Sequence, residues 1–417
     1  MIKPFRKAFA VALAASLAFG VGDALAQSTI KVAYTDPLSG PFAQVGDQNL
    51  QQLKYIIDWV NGRGGALGRK FELVAFDNKS QPSDALLALK SATDQNMPFI
   101  MQCSGSNIAA ALIEAVDKHN ERNPENRIIY VNCGAVATEL TNEKCSYWHF
   151  RWDANSDIKM EALTNYMKGE PSIKKVYLIN QDYSFGQSVR TEARKMLAAK
   201  RPDIQIVGDE LHPLLKITDF SPYIAKIKAS GADSVVTGNW GQDFALLLKA
   251  AADAGLKVKW YTYYAGGAGG PTAIKQTGLD HQVFQISEGI PNSGNKAAMD
   301  FEKDFRAKVN MSLWYPRAVN EMRMFKAAAE KANSIDPVKV AAALEGMKFD
   351  VLHGGDGIMR KEDHQFFQPI YISSFGSLTD KAKDPFDEEN TGWGWHLVSE
   401  IDTAQTILPT TCNMKRP

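Results

Sequence analysis

Residues 30–77, IKVAYTDPLSGPFAQVGDQNLQQLKYIIDWVNGRGGALGRKFELVAFD, decide the fold. Residues 30–34 alternate like a strand, and Pro37-Leu38-Ser39-Gly40-Pro41 breaks it. Leu50, Leu53, Ile57 and Val60 then recur on one helical face. Asn61-Gly62-Arg63-Gly64-Gly65 stops that helix, because Asn and Gly suit the turn beyond a helix C-terminus. Residues 71–76 form the next strand. Strand, helix and strand in this order make a βαβ unit, which implies a parallel sheet. Ligands of open α/β sheets bind beyond the carboxyl ends of the strands. The loop from Asp36 to Gly46 is therefore the first place to expect a site.

The alternation continues outward. Ala85, Leu86, Leu89 and Ala92 mark a helix, and residues 98–102 a short buried strand that ends in Cys103-Ser104-Gly105-Ser106-Asn107. A helix follows, with Ile108, Ala111, Leu112, Ala115, Val116 and His119 on one face. Residues 127–131 are a strand that ends in Asn132-Cys133-Gly134-Ala135-Val136. Both strand ends carry small residues whose amides suit an anion such as a carboxylate, and both also read as plain tight turns. Residues 145–153 have neither period and read as a crossing between domains. A second α/β series follows, with strands at 175–180, 204–211, 234–238 and 258–264 and helices between them. The Gly-rich turn 264–271 lacks the Lys-Ser/Thr of a P-loop and the spacing of a dinucleotide site. Further crossings are expected at 286–291 and 349–360. Between them lie helices at 297–309, 317–332 and 337–345, and after them strands at 368–374 and 395–401. The charged loop 380–390 receives no function.

A chain of 417 residues is long for one core, so two domains are expected. Its 47 basic and 47 acidic residues balance, which argues against nucleic acid as partner. Lys3, Arg6 and Lys7 precede a short apolar run over 8–21 and the small-residue site Ala24-Leu25-Ala26. Residues 1–26 thus read as a cleaved signal peptide, with the mature, periplasmic chain starting at Gln27. The apolar run is short for a spanning helix, and no Cys near the cleavage site offers a lipid anchor. Seven scattered His and four Cys show no metal-site spacing, so neither metal nor cofactor is expected.

The chain resembles the periplasmic solute-binding proteins of ABC importers, of the leucine/isoleucine/valine-binding type. The resemblance covers nearly the whole mature chain. It rests on residues 30–78, on CGAVATELT (133–141), NQDYSFGQSV (180–189) and DFSPYIAKIKASGADSVVTGNWGQD (219–243), and on GGAGG (266–270), in that order and spacing. It implies an α/β fold of two doubly wound parallel-sheet lobes joined by three crossings, the type I periplasmic binding protein fold. The lobes would be 27–150 with 291–352 and 151–290 with 353–417. It further implies that Ser104, with Ala135 and Val136, holds a ligand carboxylate, and that Phe185, Tyr183 and Trp240 cover the ligand from the far lobe. Amino-acid binders of this type place a glutamate after the next strand; this chain has Tyr264-Ala265-Gly266-Gly267 there. Val45 stands where some relatives have a pocket tryptophan, and Val136-Ala137 where many have a threonine.

These residues have plainer readings too. Ser104 could cap the following helix, the aromatics including Tyr264 could fill a core, and Arg317 could make a hinge or surface salt bridge. Four Cys allow three pairings; Cys145 with Cys412 and Cys103 with Cys133 are both open. The expected function is a non-catalytic, monomeric binding protein that delivers a small carboxylate to an inner-membrane ABC permease. The ligand would be a branched-chain amino acid, or a related aromatic or aliphatic acid or amide. A sensor subunit of a membrane receptor would use the same fold. A secreted hydrolase would need a GxSxG or a His near Ser104, and the spacing offers neither.

Overall fold

A computed structural model of the chain describes residues 29–417. The signal peptide expected over 1–26, and the mature start at Gln27, lie outside the described residues. The chain opens with β1 (Ile30–Asp36), α1 (Ala43–Asn61), β2 (Phe71–Asp77), α2 (Pro82–Asp94), β3 (Phe99–Gln102), α3 (Ser106–Arg122), β4 (Ile129–Asn132) and β5 (His149–Arg151). The five strands form a parallel sheet in the order β2-β1-β3-β4-β5. Asn61 does more than end α1. Its side chain donates to the Phe71 carbonyl at 2.9 Å and accepts from the Phe71 amide at 2.8 Å, so the helix end is tied to the next strand. The turn between them needs glycine: at Gly65, φ is +59° and a Cβ would sit 1.9 Å from the Arg69 carbonyl oxygen. Residues 145–153, expected to be a bare crossing, contain β5. Its three residues are all buried, so no alternation marks them in the sequence.

The second series comprises α4 (Ser156–Met167), β6 (Lys175–Gln181), α5 (Ser184–Lys200), β7 (Gln205–His212), α6 (Ser221–Ser230), β8 (Ser234–Thr237), α7 (Gly241–Asp253), β9 (Lys259–Thr262), α8 (Gly270–Thr277) and β10 (Val283–Ser287). Helix α8 is absent from the sequence reading because a glycine run disfavours helix. Then come α9 (Lys296–Val309), α10 (Arg317–Ala332), α11 (Pro337–Leu344), β11 (Lys348–Asp350), β12 (Asp356–Met359), β13 (Phe366–Phe367), β14 (Ile370–Ser377) and β15 (Trp393–Ile401). The second sheet has seven strands, β15-β14-β10-β9-β8-β6-β7. Its first five members in chain order are parallel, and β14 and β15 add to one edge antiparallel.

Three hydrophobic clusters result among the described residues, one built on the first sheet and two on the second. Phe301, Phe305, Met322 and Phe325 from α9 and α10 pack with Val32, Ile100 and Val131 of the first sheet. Leu178, Val236, Tyr261 and Ile372 belong to the core of the second. Around the third expected crossing, β11, β12 and β13 form a small sheet of their own; Met359 and Phe366 pack in the first core, Ile358 packs against the second, and Phe367 and Ile370 lie in the second. The chain end then returns to the first lobe. The Thr410 hydroxyl and the Thr411 amide donate to Asn142 Oδ1 at 3.1 and 2.9 Å, and Cys412 is bridged to Cys145. That bridge closes a loop of 267 residues. Replacing both cysteines by serine is expected to cost about 2–4 kcal/mol of stability in urea unfolding, with ligand affinity unchanged, because the bridge lies away from the cleft.

Candidate functional site

The carboxyl ends of the two parallel sheets face each other across one cleft. Close packing of helix on turn sets the geometry on both sides. A Cβ at Gly46 in α1 would lie 1.8 Å from the Pro37 carbonyl oxygen, and one at Gly186 in α5 would lie 1.9 Å from that of Gln181. Six of the seven residues singled out in the sequence line a common cavity: Ser104 and Val136 from the first lobe, and Tyr183, Phe185, Trp240 and Tyr264 from the second. Ala135 does not line it. Its amide donates to Asn132 Oδ1 at 2.8 Å and its carbonyl accepts from Asn132 Nδ2 at 2.9 Å.

Val45, Trp314 and Tyr315 complete the aromatic and apolar wall. Trp314 and Tyr315 come from far along the chain. Their amides both donate to Gln52 Oε1 at 3.0 Å, which fixes them against α1. Trp240 stacks on Phe42 of the opposite lobe, with ring centroids 3.9 Å apart, and its Nε1 donates to the Tyr183 hydroxyl at 2.8 Å. The two rings clasp the lobes together. The space left inside is about 20 Å³, far below the several hundred Å³ usual for a small-molecule site, so a ligand body enters as the lobes part. A broader interlobe groove of about 650 Å³ adjoins it at Trp314. Its walls of Gln44, Gln48, Asn310, Ser312 and Glu389 are hydrophilic, unlike the mostly apolar lining of typical ligand sites.

At the first-lobe side, the disulfide Cys103–Cys133 joins the ends of β3 and β4. The amides of Gly105, Ser106 and Val136 meet no acceptor among the described residues. Those of Gly105 and Ser106 stand at the N-terminus of α3, where partial positive charge accumulates. Ser104 points the other way. Its amide donates to Asp36 Oδ1 at 2.8 Å and its hydroxyl to Asp36 Oδ2 at 3.1 Å. Asp36 is fully buried, and it also accepts from the Tyr34 hydroxyl at 2.8 Å and Asn49 Nδ2 at 3.0 Å. Burial raises its pKa above the ordinary carboxylate value, against the pull of these hydrogen bonds. The fold thus brings an Asp to Ser104, which the spacing did not reveal. Among the described residues the Ser104 hydroxyl bonds Asp36 and Asn49, neither of which is an imidazole that could take its proton as a base.

Behind the cavity, four charges meet at the crossings. Lys159 Nζ lies 2.8 Å from Asp153 Oδ1 and 3.1 Å from Glu288 Oε1. The Arg317 guanidinium lies 2.8 Å from Asp153 Oδ2 and 3.1 Å from Glu288 Oε2. Burial drives the Asp153 pKa up; for Glu288, Lys159 and Arg317 outweigh burial and hold it down. Arg317 is therefore a buried hinge residue, donating also to the Cys133 carbonyl at 2.8 Å. The cavity touches this cluster: the Tyr264 hydroxyl donates to Asp153 Oδ2 at 2.8 Å, and Arg317 lies 3.8 Å from the Tyr315 ring centre.

Residues 29–380 match the family model described as periplasmic binding protein. The chain belongs to that family. It is a solute-binding protein, not an enzyme. It is 33% identical to Leu/Ile/Val-binding protein homolog 4 of Brucella abortus, with 100% of this chain and 99% of the relative covered. A crystal structure of the leucine-, isoleucine-, valine-, threonine-, and alanine-binding protein from Brucella ovis, in a closed conformation, superposes with a TM-score of 0.83 at 31% identity. That likeness covers 94% of this chain and 100% of the other. A solute-binding protein of an ABC transporter from R. palustris, in complex with benzoate, shares the fold at a TM-score of 0.71 and 19% identity, over 83% of this chain and 93% of its own. The fold is thus that of type I periplasmic binding proteins, with two α/β lobes joined at the crossings.

Proposed function

We propose that this periplasmic binding protein is exported by cleavage after Ala26, works as a monomer, and captures a small carboxylate for an inner-membrane ABC permease. The lobes would divide close to residues 150, 290 and 352 and close over the ligand by hinge motion. The observation that supports this most is the pairing, in one interlobe cavity, of unused amides at Gly105, Ser106 and Val136 with a wall of aromatic rings. The amides would hold the carboxylate. Phe185, Tyr183, Trp240, Tyr264, Trp314 and Tyr315 would enclose an apolar body, with Ser104 beside its polar end. The relatives' names make a branched-chain amino acid the first ligand to test, with aromatic and aliphatic acids and amides next.

A thermal-shift panel of those classes on the mature chain tests the reading. A ligand present at about 100 times its Kd adds about 2.7 kcal/mol to stability, which is read as a rise in Tm. A rise with at least one carboxylate is expected. A flat response across the whole panel would sink the proposal.

A further inference from the structure

We propose that residues 380–390 form a strap from the second lobe to the first, and that fastening it makes lobe closure take up a proton. This goes beyond ligand capture and rests on the reading of two lobes that close by hinge motion.

The strap leaves the second sheet between β14 and β15. Its base is fixed beside that sheet. Asp384 Oδ2 lies 3.2 Å from His396 Nδ1 in β15. The Asn292 side chain donates to the Phe386 carbonyl at 2.8 Å and accepts from the Phe386 amide at 3.0 Å. The tip is tied on both sides of the interlobe groove. On the second-lobe side, at the start of α8, Glu389 Oε1 accepts from the Gly269 amide at 2.7 Å. Its Oε2 accepts from the Thr272 amide and hydroxyl at 2.9 and 2.6 Å. On the first-lobe side, Arg306 Nη2 of α9 lies 2.8 Å from Glu388 Oε1, and Arg306 also donates to the Asp387 carbonyl. These ties bend the tip. Glu389 has φ +51° and Asn390 φ +57°, a conformation that persists where its surroundings hold it.

Charge supplies the proton link. Arg306 pairs with Glu302, one turn earlier in α9, as well as with Glu388. Both carboxylates are buried, so one guanidinium serves two anions. Among the described residues no second cation pairs with either. The other polar side chain that bears on Glu388 is the Ser312 hydroxyl. The remaining acids of the tip turn elsewhere, Asp387 to the Gly392 amide and Glu389 to α8. Two carboxylates sharing a site favour a proton on one of them. Burial pushes Glu388 up to about 7, with Arg306 opposing and Glu302 adding to the rise. Once the strap lifts, Glu388 meets water, where a glutamate titrates at about 4.3. The closed value is the higher one, so closure binds a proton. Closure is favoured as pH falls through about 7 and loses that contribution above it. The trio also reaches the cavity wall: Glu302 Oε1 accepts from the Leu313 amide at 3.2 Å, and Trp314 and Tyr315 follow directly.

Calorimetric titration with leucine at about pH 8 and about pH 6 compares the wild type with Glu388→Gln, which keeps the neutral form. The variant is expected to bind leucine tighter than the wild type at the higher pH. The ratio of the two affinities should shrink about 10-fold at the lower pH. Hinge acids such as Asp153 are present in both proteins and cancel from the ratio. A strap that only packs would leave the variant weakened by one factor at both pH values, and that result overturns the proposal. Should Glu388→Gln fail to fold, Glu302→Gln removes the same surplus charge and should behave alike. Small-angle scattering of the ligand-free wild type separates the strap from the choice of ligand. Its radius of gyration should be smaller at the lower pH. A contracting radius with leucine silent leaves the strap standing and counts against a branched-chain ligand. An unchanged radius with leucine silent overturns the strap.

Discussion

Trp240→Ala is expected to weaken ligand binding on the order of 100-fold while leaving the fold intact. Trp240 makes two contacts at once: the face-on stack with Phe42 across the lobes and the hydrogen bond to the Tyr183 hydroxyl. Both belong to the closed cleft, so their loss raises the free energy of closure rather than of folding. Central, well-enclosed aromatic anchors cost about 2–4 kcal/mol when truncated, which gives the stated loss of affinity. The indole also shields the cavity, and alanine would admit water to the polar groups at Ser104 and Gly105. Calorimetry should show a raised Kd with an unfolding midpoint close to wild type. An unchanged Kd would show that the clasp plays no part in ligand capture. Trp240→Phe keeps a ring for the stack but loses the indole N–H, so it should fall between the two.

Arg317→Met is expected to remove about 3–5 kcal/mol of stability. The substitution keeps a long apolar stem but leaves Asp153 and Glu288 facing Lys159 alone. A buried carboxylate without its partner is costly because solvation lost on burial is no longer compensated. The guanidinium also satisfies the Cys133 carbonyl, which would be left without it. A loss of this size is a large fraction of ordinary domain stability, so the urea midpoint should fall steeply. A second change identifies the cause. Adding Asp153→Asn to Arg317→Met removes the surplus charge and should recover part of the loss. If the single variant unfolds at the wild-type midpoint, the four charges do not hold the crossings together.

Legibility in the sequence followed distance along the chain. The βαβ opening could be read because a strand, a helix and their punctuation are all local patterns. Tyr183, Phe185, Trp240 and Tyr264 could be placed because each sits just after its own strand, and strand ends face the cleft. Trp314 and Tyr315 could not, since they reach the cavity from a loop before α10 through contacts with Gln52, 262 and 263 residues away. The partnership of Asp36 with Ser104 spans 68 residues and depends on β1 lying beside β3. The same partnership explains why Ser104, rightly placed at the cavity, has its amide and hydroxyl turned away from it. Strand β5 and helix α8 were hidden for opposite reasons. One is buried on all sides and shows no period, and the other begins in glycines that carry no helical signal.

The bond between Cys145 and Cys412 also makes most of the molecule a covalent ring. That ring holds the whole second lobe together with α9, α10 and α11 of the first. A single backbone cut anywhere between those two cysteines therefore releases nothing, since both fragments stay joined through sulfur. The second lobe can also melt without its two ends drifting apart. The ends start any return to the native state already side by side, and the shortened search among unfolded conformations favours recovery after damage outside the cytoplasm.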